Sequence, residues 1–502
     1  MYIKSNPFSH YGRIVCGDNF IGRQEAIRTI QQRIINSPDP GCLAIIGAPR
    51  IGKSSLAYHT LIYPRKNLLK QRIISIRINL PSSVNSHEQL FRKFVSETLD
   101  VLEDAEEDDE ALSLRGRNLL KENLDWLELQ HQVQRFFKRV KQLGWRVVAV
   151  IDEFDAARSL FRDNDTAFQS LRELAYEPDW RICLVTLSRR SLPEITNQSR
   201  ADISNFAGIF LDKYINCFTE KEVIHLLQKI ENQGIEITQK ILDFFCINTG
   251  GHPYLSSALA YQLCEIYLDS KETDCELALQ ESTPAFLKYY DDLLNILKED
   301  GSLEKLLEIV FGPVVKATRF DSNKLEKYGL IKPDINSFYK PFSSHFEDYL
   351  RLVERTVDYW SLWRETEKSL RFLINYKMEE KYKTNNWFSL LEAEKSHIKP
   401  IFDNCRKMQK QEQNRFPGLA SRSLLDFTYT KDLFEIITSD WTLFQPIFGR
   451  KLEDWRYRFE IIKKIRNPMA HNRDGILETY DGQNAESYCK EILEIVNKIL
   501  KK

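Results

Sequence analysis

The sequence predicts a multidomain protein, in which an α/β part with a parallel sheet is followed by helical domains. Length is the first reason, because 502 residues are too many for one ordinary hydrophobic core. The second reason is that short apolar runs alternate with helical patterns up to about residue 190, which favours parallel strands joined by helical crossovers. The third is that strand-like runs stop near residue 219, apart from one short hairpin pattern.

Four short apolar runs are the strand candidates. Runs of this kind are typical of strands that are buried on both faces of a parallel sheet. They are residues 42–46 (CLAII), 73–80 (IISIRINL), 147–152 (VVAVID) and 183–187 (CLVTL). Between the second and third runs, an acidic block at residues 103–110 predicts a solvated loop that separates two helical patterns.

The rest of the chain is predicted to be mainly helical. Thr219 and Glu222 have the spacing of a capping box that starts a helix. Residues 286–352 contain helical patterns and then a hairpin, which is the order found in a winged helix. Residues 355–502 are predicted to be wholly helical. One apolar helix face there should contain Trp360, Trp363, Leu370, Leu373 and Ile374.

Composition and charge exclude several classes of protein. The formal net charge is −1, although residues 355–502 carry 27 basic and 22 acidic side chains and are therefore the better candidate for binding a polyanion. No apolar run approaches the ~20 residues that cross a bilayer, and residues 1–13 lack the apolar segment of a signal peptide. No two of the nine cysteines form a CxxC pair, so we expect reduced thiols, no protein-bound zinc and a cytoplasmic location.

Residues 47–54 (GAPRIGKS) match the phosphate-binding pattern G-x-x-x-x-G-K-[ST]. Gly47 and Gly52 allow consecutive backbone amides to point at a phosphate, and the following helix adds its positive end. In this pattern Lys53 binds the β- and γ-phosphates, and the hydroxyl of Ser54 is a Mg²⁺ ligand. An ordinary glycine turn is the alternative, but the strand before it and the helix after it favour nucleotide binding. Two neighbouring residues are also predicted to bind nucleotide, namely Arg50 and Ser55.

The third apolar run ends in a pair of carboxylates. Asp152 is expected to hold the Mg²⁺ through water, and Glu153 is expected to orient or deprotonate the water that attacks ATP. Helix capping is the simpler role for such residues, yet Asp followed by Glu after an apolar strand favours ATP hydrolysis. Arg189 and Arg190 follow the next strand, where a cation could neutralise charge on the γ-phosphate. The alternative for this pair is an exposed position beside a loop.

Up to about residue 352, the chain resembles the STAND/AAA+ group of P-loop signalling ATPases, which includes bacterial conflict proteins and NLR-like switches. The resemblance rests on the two nucleotide motifs, the winged-helix pattern and three short segments, NPF (6–8), FIGR (20–23) and TGGHPYL (249–255). It implies three domains, namely a P-loop ATPase core at residues 1–215, a helical lid at 216–285 and a winged helix at 286–354.

The resemblance also implies site residues outside the two motifs. In that group the FIGR segment lies near the adenine, and the Gly-His-Pro element of the lid contacts the nucleotide, which implies roles for Arg23, His252 and Pro253. Taken alone, His252 is an ordinary histidine at the start of a helix. The sequence departs from many members of the group because it shows no C-terminal repeat array, so the way in which a trigger is sensed stays open.

A second motif lies near the C-terminus, where Arg466 precedes His471 by five positions. The pattern alone is weak, and on a straight helix the two side chains would point about 140° apart. Pro468 disfavours helical geometry at Asn467 and suits the first turn of a new helix. A helix junction at this point could therefore bring the side chains of Arg466 and His471 together.

Such a pair could cleave RNA without a metal ion. His471 would remove the proton of a 2′-hydroxyl, which then attacks the adjacent phosphorus, while Arg466 would stabilise charge on the phosphate oxygens. The product would carry a 2′,3′-cyclic phosphate, and DNA, which lacks the hydroxyl, would be spared. Because one motif supplies one histidine, a two-fold dimer would be needed to supply both a base and an acid.

Residues 355–502 resemble the HEPN family of all-helical domains, whose R-x4–6-H motif lies at such a dimer interface. The resemblance maps the motif onto Arg466, Asn467 and His471. It also suggests that polar residues on an earlier helix face the motif, with Glu365, Glu367 and Arg371 as candidates. The alternatives are a degenerate HEPN domain with a purely structural role, and a helix cap with a neutral histidine.

Together, the two resemblances predict an ATP-regulated ribonuclease of the bacterial conflict or anti-phage type, with ATP and Mg²⁺ as cofactors. The expected partners are RNA, with tRNA as a candidate, a second copy of the chain, and a trigger protein; no membrane is expected. Two other functions stay open. One is a signalling ATPase with a structural HEPN domain. The other is a winged-helix ATPase that binds DNA, which the few cations of residues 324–334 disfavour.

Overall fold

The computed structural model describes residues 6–106, 109–121, 123–162, 166–196, 205–312, 317–334, 339–354, 361–418, 421, 423–466 and 479–500. The chain divides into two compact units. The first contains Met1–Cys246, Gly250–Thr273 and Lys327–Gly329, and the second contains Ile247–Thr249, Asp274–Glu326 and Leu330–Lys502. Within the described ranges, no helix has both the length and the apolar composition that a membrane crossing requires.

A five-stranded parallel sheet forms the centre of the first unit. Its strands are β1 (Cys42–Ile46), β2 (Ile73–Asn79), β3 (Arg146–Asp152), β4 (Cys183–Ser188) and β5 (Phe210–Tyr214). Their order is β2-β3-β4-β1-β5, and every neighbouring pair is parallel. The first four strands agree with the four apolar runs to within one residue at each end. The predicted parallel α/β fold is therefore confirmed for this part of the chain.

The fifth strand, β5, was not predicted from the apolar runs. It lies at one edge of the sheet, next to β1. Leu211 and Asp212 in this strand are exposed, whereas all five residues of β1 are buried. An edge strand needs apolar residues on fewer sides than a central strand, so it lacks the continuous apolar pattern that identified the others.

Ten helices of the first unit precede β5 along the described chain. They are α1 (Gln24–Ile30), α2 (Lys53–Ala57), α3 (Arg65–Lys70), α4 (Leu80–Ser83), α5 (His87–Asp104), α6 (Glu110–Lys121), α7 (Trp126–Gln142), α8 (Ala157–Leu160), α9 (Ala167–Tyr176) and α10 (Leu192–Thr196). Single π-helical turns extend α1 and α2. The loop predicted at residues 103–110 is shorter than expected, because α5 continues to Asp104 and buries Val101 and Leu102.

Three further helices follow β5, namely α11 (Glu220–Glu231), α12 (Gln239–Thr249) and α13 (Pro253–Ser270). The capping box predicted at the start of α11 is present. The backbone amide of Glu222 donates to Oγ1 of Thr219 at 3.4 Å, and the amide of Thr219 donates to Oε2 of Glu222 at 2.8 Å. This reciprocal pair satisfies two amides that the first helical turn leaves without an intrahelical partner.

The second unit begins its regular structure with helices and one small sheet. These elements are α14 (Cys275–Glu299), α15 (Leu303–Phe311), α16 (Arg319–Lys327), the antiparallel strands β6 (Ile331–Pro333) and β7 (Tyr339–Pro341), and α17 (Ser344–Glu354). Two helices, a hairpin and another helix follow one another in the order expected of a winged helix. The assignment of a winged helix stays a prediction.

The remaining described residues are helical, as predicted. The helices are α18 (Ser361–Tyr382), α19 (Trp387–Glu394), α20 (Lys399–Arg415), α21 (Thr430–Ser439), α22 (Trp441–Phe448), α23 (Leu452–Arg466) and α24 (Thr479–Leu500). One hydrophobic core joins them and includes four of the residues predicted to share a helix face, namely Trp363, Leu370, Leu373 and Ile374. The fifth, Trp360, lies outside the described residues.

Candidate nucleotide-binding site

The predicted phosphate-binding residues lie at the carboxyl edge of the parallel sheet. β1 ends at Ile46 and is followed by residues 47–52 and then by α2. In the sheet, Ile46 pairs with Ser188, and Asn79 pairs with Asp152. Because parallel strands end on the same side, their last residues lie near the loop that precedes α2. This edge is where ligands bind in open α/β sheets.

Two glycines give the loop a shape that other residues would disturb. Gly52 has a φ of +99°, in the left-handed region that favours glycine. A Cβ atom on Gly47 would lie 2.6 Å from the carbonyl oxygen of Ile215. Lys53 then folds back over the loop, and its Nζ donates hydrogen bonds to the carbonyl oxygens of Gly47 and Ala48 at 2.8 Å each. The loop therefore surrounds a lysine ammonium group with backbone.

The pKa of Lys53 is lower than that of an ordinary lysine. Burial lowers its pKa to about 8, while the carboxylates of Asp155 and Asp152 oppose that shift. A phosphate group would stabilise the ammonium form, as the two carbonyl oxygens do only in part. Lys53 and the loop therefore fit a nucleotide phosphate. Burial removes water from the ammonium group, and a neighbouring anion would restore the lost electrostatic stabilisation.

Asp152 is the centre of a second set of contacts. Its side chain is only 5% exposed. Oδ1 accepts hydrogen bonds from the Ser54 hydroxyl at 3.1 Å and from the backbone amide of Glu153 at 3.0 Å. Oδ2 accepts a hydrogen bond from Nη2 of Arg77 at 2.7 Å. A hydroxyl and a carboxylate side by side are the oxygen ligands that Mg²⁺ prefers, so Ser54 and Asp152 fit the predicted ion.

A cavity of about 440 Å³ opens beside these residues. Its lining contains both acids of the predicted site, Asp152 and Glu153, and an excess of basic side chains. The basic residues are His10, Arg13, Arg23, Arg50, Lys53, Arg77 and Lys229. This excess of positive charge in a concave site favours a polyphosphate over a neutral ligand.

Apolar side chains form another part of the same lining. They are Phe8, Tyr11, Ile14, Val15, Phe20, Ile21, Phe218, Leu226 and Tyr254. Several of them belong to the N-terminal segment, residues 8–21. The backbone amide of Val15 in this segment donates a hydrogen bond to the Ser55 hydroxyl at 3.2 Å. A cavity with a cationic part and an aromatic and aliphatic part suits a nucleotide, which has a charged and a planar end.

Arg23 and Arg50 join the loop to the predicted lid. Arg23 donates from Nη2 to the carbonyl oxygen of Ile51 at 2.9 Å, and its guanidinium lies 4.6 Å from the centre of the Phe218 ring. Arg50 lies 4.5 Å from the centre of the Tyr254 ring, on α13. Ser55 lines the cavity and its hydroxyl accepts a hydrogen bond from the N-terminal segment, and its contact with nucleotide stays a prediction.

Three residues of the lining have left-handed backbone conformations without being glycine. They are Arg23 (φ +63°), Arg50 (φ +55°) and Glu153 (φ +54°). Such conformations cost free energy in residues with a Cβ atom, and they cluster at functional sites because the surrounding structure holds them. Here all three side chains belong to one cavity.

The predicted residue His252 is absent from the described cavity lining. His252 is buried, and burial, reinforced by Arg23, lowers its pKa to about 3, with Lys53, Arg50 and a backbone interaction with Pro49 as smaller influences. The structure thus places a neutral His252 behind the loop, while the next residue, Pro253, does line the cavity. The direct contact of His252 with nucleotide stays a prediction.

Asp155 binds both Arg189 and Arg190, and neither arginine is among the described residues that line the cavity. The backbone amides of both arginines donate to the Asp155 carboxylate, at 2.7 and 3.2 Å. The Arg190 side chain is 8% exposed and lies 3.5 Å from Oδ1 of Asp155, whereas the Arg189 side chain is 41% exposed. Arg190 is therefore a buried ion-pair partner, and Arg189 remains the predicted cation for the γ-phosphate.

Sequence reasoning missed two residues of β2 that line the cavity, Arg77 and Asn79. The sequence did contain an indication, because both are polar residues in a mostly apolar run and lie two positions apart, on one face of the strand. Their significance depends on β2 lying next to β3, and the order of strands in the sheet is not readable from the run itself.

The C-terminal motif falls mostly outside the described residues. Arg466 is the last described residue of α23, and Asn467 and His471 lie in the undescribed segment that follows. On α18, Glu365 is exposed, whereas Glu367 accepts a hydrogen bond from the Thr430 hydroxyl at 2.5 Å and another from Arg371 at 3.1 Å. The predicted pairing of Arg466 with His471 therefore stays a prediction.

A family model matches part of the first unit. Residues 37–192 match the family of AAA domains. No curated protein matches the chain. Among solved structures, similar ones include the Walker-type ATPase of Pyrococcus abyssi, which is 15% identical with a TM-score of 0.43, the match covering 69% of this chain and 99% of that one.

Two other similar structures have comparable coverage. The ADP form of the ORC2 protein of Aeropyrum pernix is 11% identical with a TM-score of 0.40, and the match covers 67% of this chain and 95% of that one. AMPPCP-bound DnaA of Aquifex aeolicus is 14% identical with a TM-score of 0.28, covering 69% and 84%. The loop geometry and the family match identify residues 37–192 as a P-loop ATPase domain of the AAA type.

Proposed function

We propose that the chain is an ATP-regulated ribonuclease of the bacterial conflict type, in which nucleotide bound to the first unit controls an RNA-cleaving site in the second. The observation that carries the nucleotide part is the cluster of Lys53, Ser54 and Asp152 at the carboxyl edge of the sheet. The nuclease part rests on the Arg466–His471 motif of the sequence and on α23 and α24, the described helices before and after the segment that contains His471.

In the first unit, the loop and Lys53 bind the triphosphate of ATP, while Ser54 and Asp152 hold Mg²⁺. When bound, the ion supplies charge stabilisation for the transferred phosphoryl group. Glu153 orients the attacking water or accepts its proton. Arg189, which is partly exposed, serves as the cation for charge that develops on the γ-phosphate.

In the second unit, His471 removes a proton from an RNA 2′-hydroxyl, and Arg466 stabilises the phosphate during attack. Asn467 lies between them in the sequence and is the expected cap of a helix predicted to begin at Pro468. A two-fold pair of chains supplies the second histidine, which protonates the leaving 5′-oxygen. The substrate is RNA, with tRNA as a candidate, and a trigger protein sets when ATP-dependent assembly occurs; DNA is not a substrate because it has no 2′-hydroxyl.

The test is to compare RNA cleavage by the wild type and by His471→Ala, each with Mg²⁺ and a non-hydrolysable ATP analogue. We expect cleavage products that end in 2′,3′-cyclic phosphate from the wild type and none from the variant. His397→Ala is a matched control, because it removes an exposed histidine from the same unit outside the motif. Equal cleavage by His471→Ala would show that the assigned nuclease site is wrong.

A signalling ATPase without nuclease activity is the second candidate, and one contact favours it. Glu367 and Arg371 hydrogen-bond to each other and to residues near the start of α21, which is the behaviour of side chains that stabilise a helical domain. In that case nucleotide would change the oligomeric state, measured as molar mass with and without ATP analogue, while the RNA stays intact.

A further inference from the structure

The side chain of Arg77 donates a hydrogen bond to one oxygen of Asp152, the carboxylate that is predicted to bind Mg²⁺. Its Nη2 atom lies 2.7 Å from Oδ2 of Asp152, on the neighbouring strand. The other oxygen, Oδ1, already accepts hydrogen bonds from Ser54 and Glu153. All the observed contacts of this carboxylate are thus made by hydrogen-bond donors, and one of the donors is a cation.

Mg²⁺ and Arg77 would compete for the same carboxylate. A divalent ion held by Ser54 and Asp152 would lie close to the guanidinium beside the buried Asp152 carboxylate, and the two positive charges would repel each other. Asp152 can interact well with the ion or with Arg77, but the two contacts weaken each other. Arg77 would therefore weaken the binding of the ion to Asp152, and a neutral side chain would not.

A second observation on Arg77 concerns its Nε atom. Its Nε atom is buried, yet no hydrogen-bond partner for it is found among the described residues. Buried donors normally have partners, and an exception calls for an explanation. Asn79 offers another acceptor on the same face of β2, because its buried Oδ1 likewise has no donor within the described chain. The guanidinium of Arg77, once displaced from Asp152, could therefore donate a hydrogen bond to Oδ1 of Asn79.

We propose that Arg77 acts as an internal substitute cation, which neutralises Asp152 until Mg²⁺ arrives with the nucleotide and displaces it. Arg77 thereby sets the Mg²⁺ concentration at which the site changes from its resting to its metal-bound arrangement. Arg77 is a positioning residue in this scheme, because it acts through Asp152. The proposal rests on Mg²⁺–nucleotide binding by the first unit, and it is independent of the ribonuclease.

The experiment measures binding of a fluorescent, non-hydrolysable ATP analogue to the full chain, first in EDTA and then at increasing free Mg²⁺. In Arg77→Gln, we expect the Mg²⁺ concentration at half-effect to fall about tenfold, because a nearby positive charge has been removed. Arg77→Lys keeps the charge and should stay close to the wild type. Binding of Mn²⁺, followed by electron paramagnetic resonance in the presence of the analogue, should tighten in parallel.

Arg181→Gln is the matched control, because it removes an arginine paired with an aspartate, Asp39, outside the cavity lining. It should leave the Mg²⁺ dependence unchanged. If Arg77→Gln has the same half-effect concentration as the wild type, or loses affinity equally in EDTA and in Mg²⁺, the proposal is wrong while the nucleotide site stands. If the wild type itself binds no analogue, the assigned nucleotide site is wrong and the proposal is overturned with it.

Discussion

The hydroxyl of Ser54 donates a hydrogen bond to Oδ1 of Asp152 across 3.1 Å. One residue comes from the phosphate-binding loop motif and the other ends β3, 98 positions later in the chain. The contact brings together the two oxygen groups that sequence patterns proposed separately as Mg²⁺ ligands. It also holds the hydroxyl and the carboxylate side by side, which lowers the reorganisation that ion binding requires.

Ser54→Ala should remove the metal-dependent part of nucleotide binding and spare the rest. We expect the gain in affinity that Mg²⁺ gives the wild type to shrink by about 10–100-fold, because one direct oxygen ligand is lost. The measurement is a titration with a fluorescent ATP analogue in Mg²⁺ and in EDTA. Affinity in EDTA is the internal control and should change little, and an equal loss in both conditions would contradict the assigned role of Ser54.

Nucleotide binding should take up a proton above pH 8. Burial holds the pKa of Lys53 near 8 in the free protein, and the phosphates of a bound nucleotide raise it. At pH 8.5 most free Lys53 is therefore neutral and must be protonated on binding, so affinity should fall as pH rises, by up to about tenfold per pH unit. Calorimetric titrations in two buffers with different ionisation enthalpies measure the uptake directly.

This uptake should disappear at pH 6.5, where Lys53 is charged both with and without nucleotide. The comparison between the two pH values is the control, since other groups of the cavity are present in both measurements. Affinity that stays constant from pH 7.5 to pH 9.5, with no proton uptake, would show that Lys53 does not contact the phosphates.

Glu153→Gln should separate binding from hydrolysis. The substitution keeps the shape of the side chain and its neighbours but removes the carboxylate that accepts a proton from water. We expect the rate of phosphate release to fall by about 10²–10⁴-fold, the usual contribution of a general base, while the affinity for ATP changes less than about threefold. Hydrolysis at the wild-type rate would exclude Glu153 as the base.

Trp455→Ala should strongly destabilise the second unit. Trp455 is fully buried on α23 and its ring lies 5.3 Å from that of Phe459. Loss of a large buried ring costs about 3–5 kcal/mol in the free energy of unfolding. Denaturant unfolding measures this cost. Tyr457→Ala is the matched control on the same helix, because Tyr457 is 62% exposed and should change stability by less than about 0.5 kcal/mol.

The parts of the fold that sequence reasoning predicted are those determined by local pattern. The run CLAII gave the bounds of β1, and the pair Thr219 and Glu222 gave the start of α11. Both signals are contained in a few adjacent residues. The nucleotide loop is similar, because eight consecutive residues specify it and its glycines have the shape constraints expected of them.

The features that the sequence did not predict depend on which strands and side chains are neighbours in the folded structure. β5 has no continuous apolar run because it is an edge strand, and Arg77 matters only because β2 pairs with β3. Arg190 was a candidate for the γ-phosphate, but Asp155 binds it in the interior. A single sequence does not reveal which of several acids an arginine will meet, since that choice is made by tertiary packing.

The left-handed backbone at Arg23, Arg50 and Glu153 has a consequence for variants of this protein. A residue with a Cβ atom loses about 1–2 kcal/mol in that conformation, and glycine does not. Replacement of Glu153, whose side chain is exposed, by glycine would therefore relax the backbone while deleting a charged group from the cavity. Selection of mutants for heat resistance alone would tend to favour such a change. It would thus yield proteins with higher thermal stability and lower affinity for the ligand.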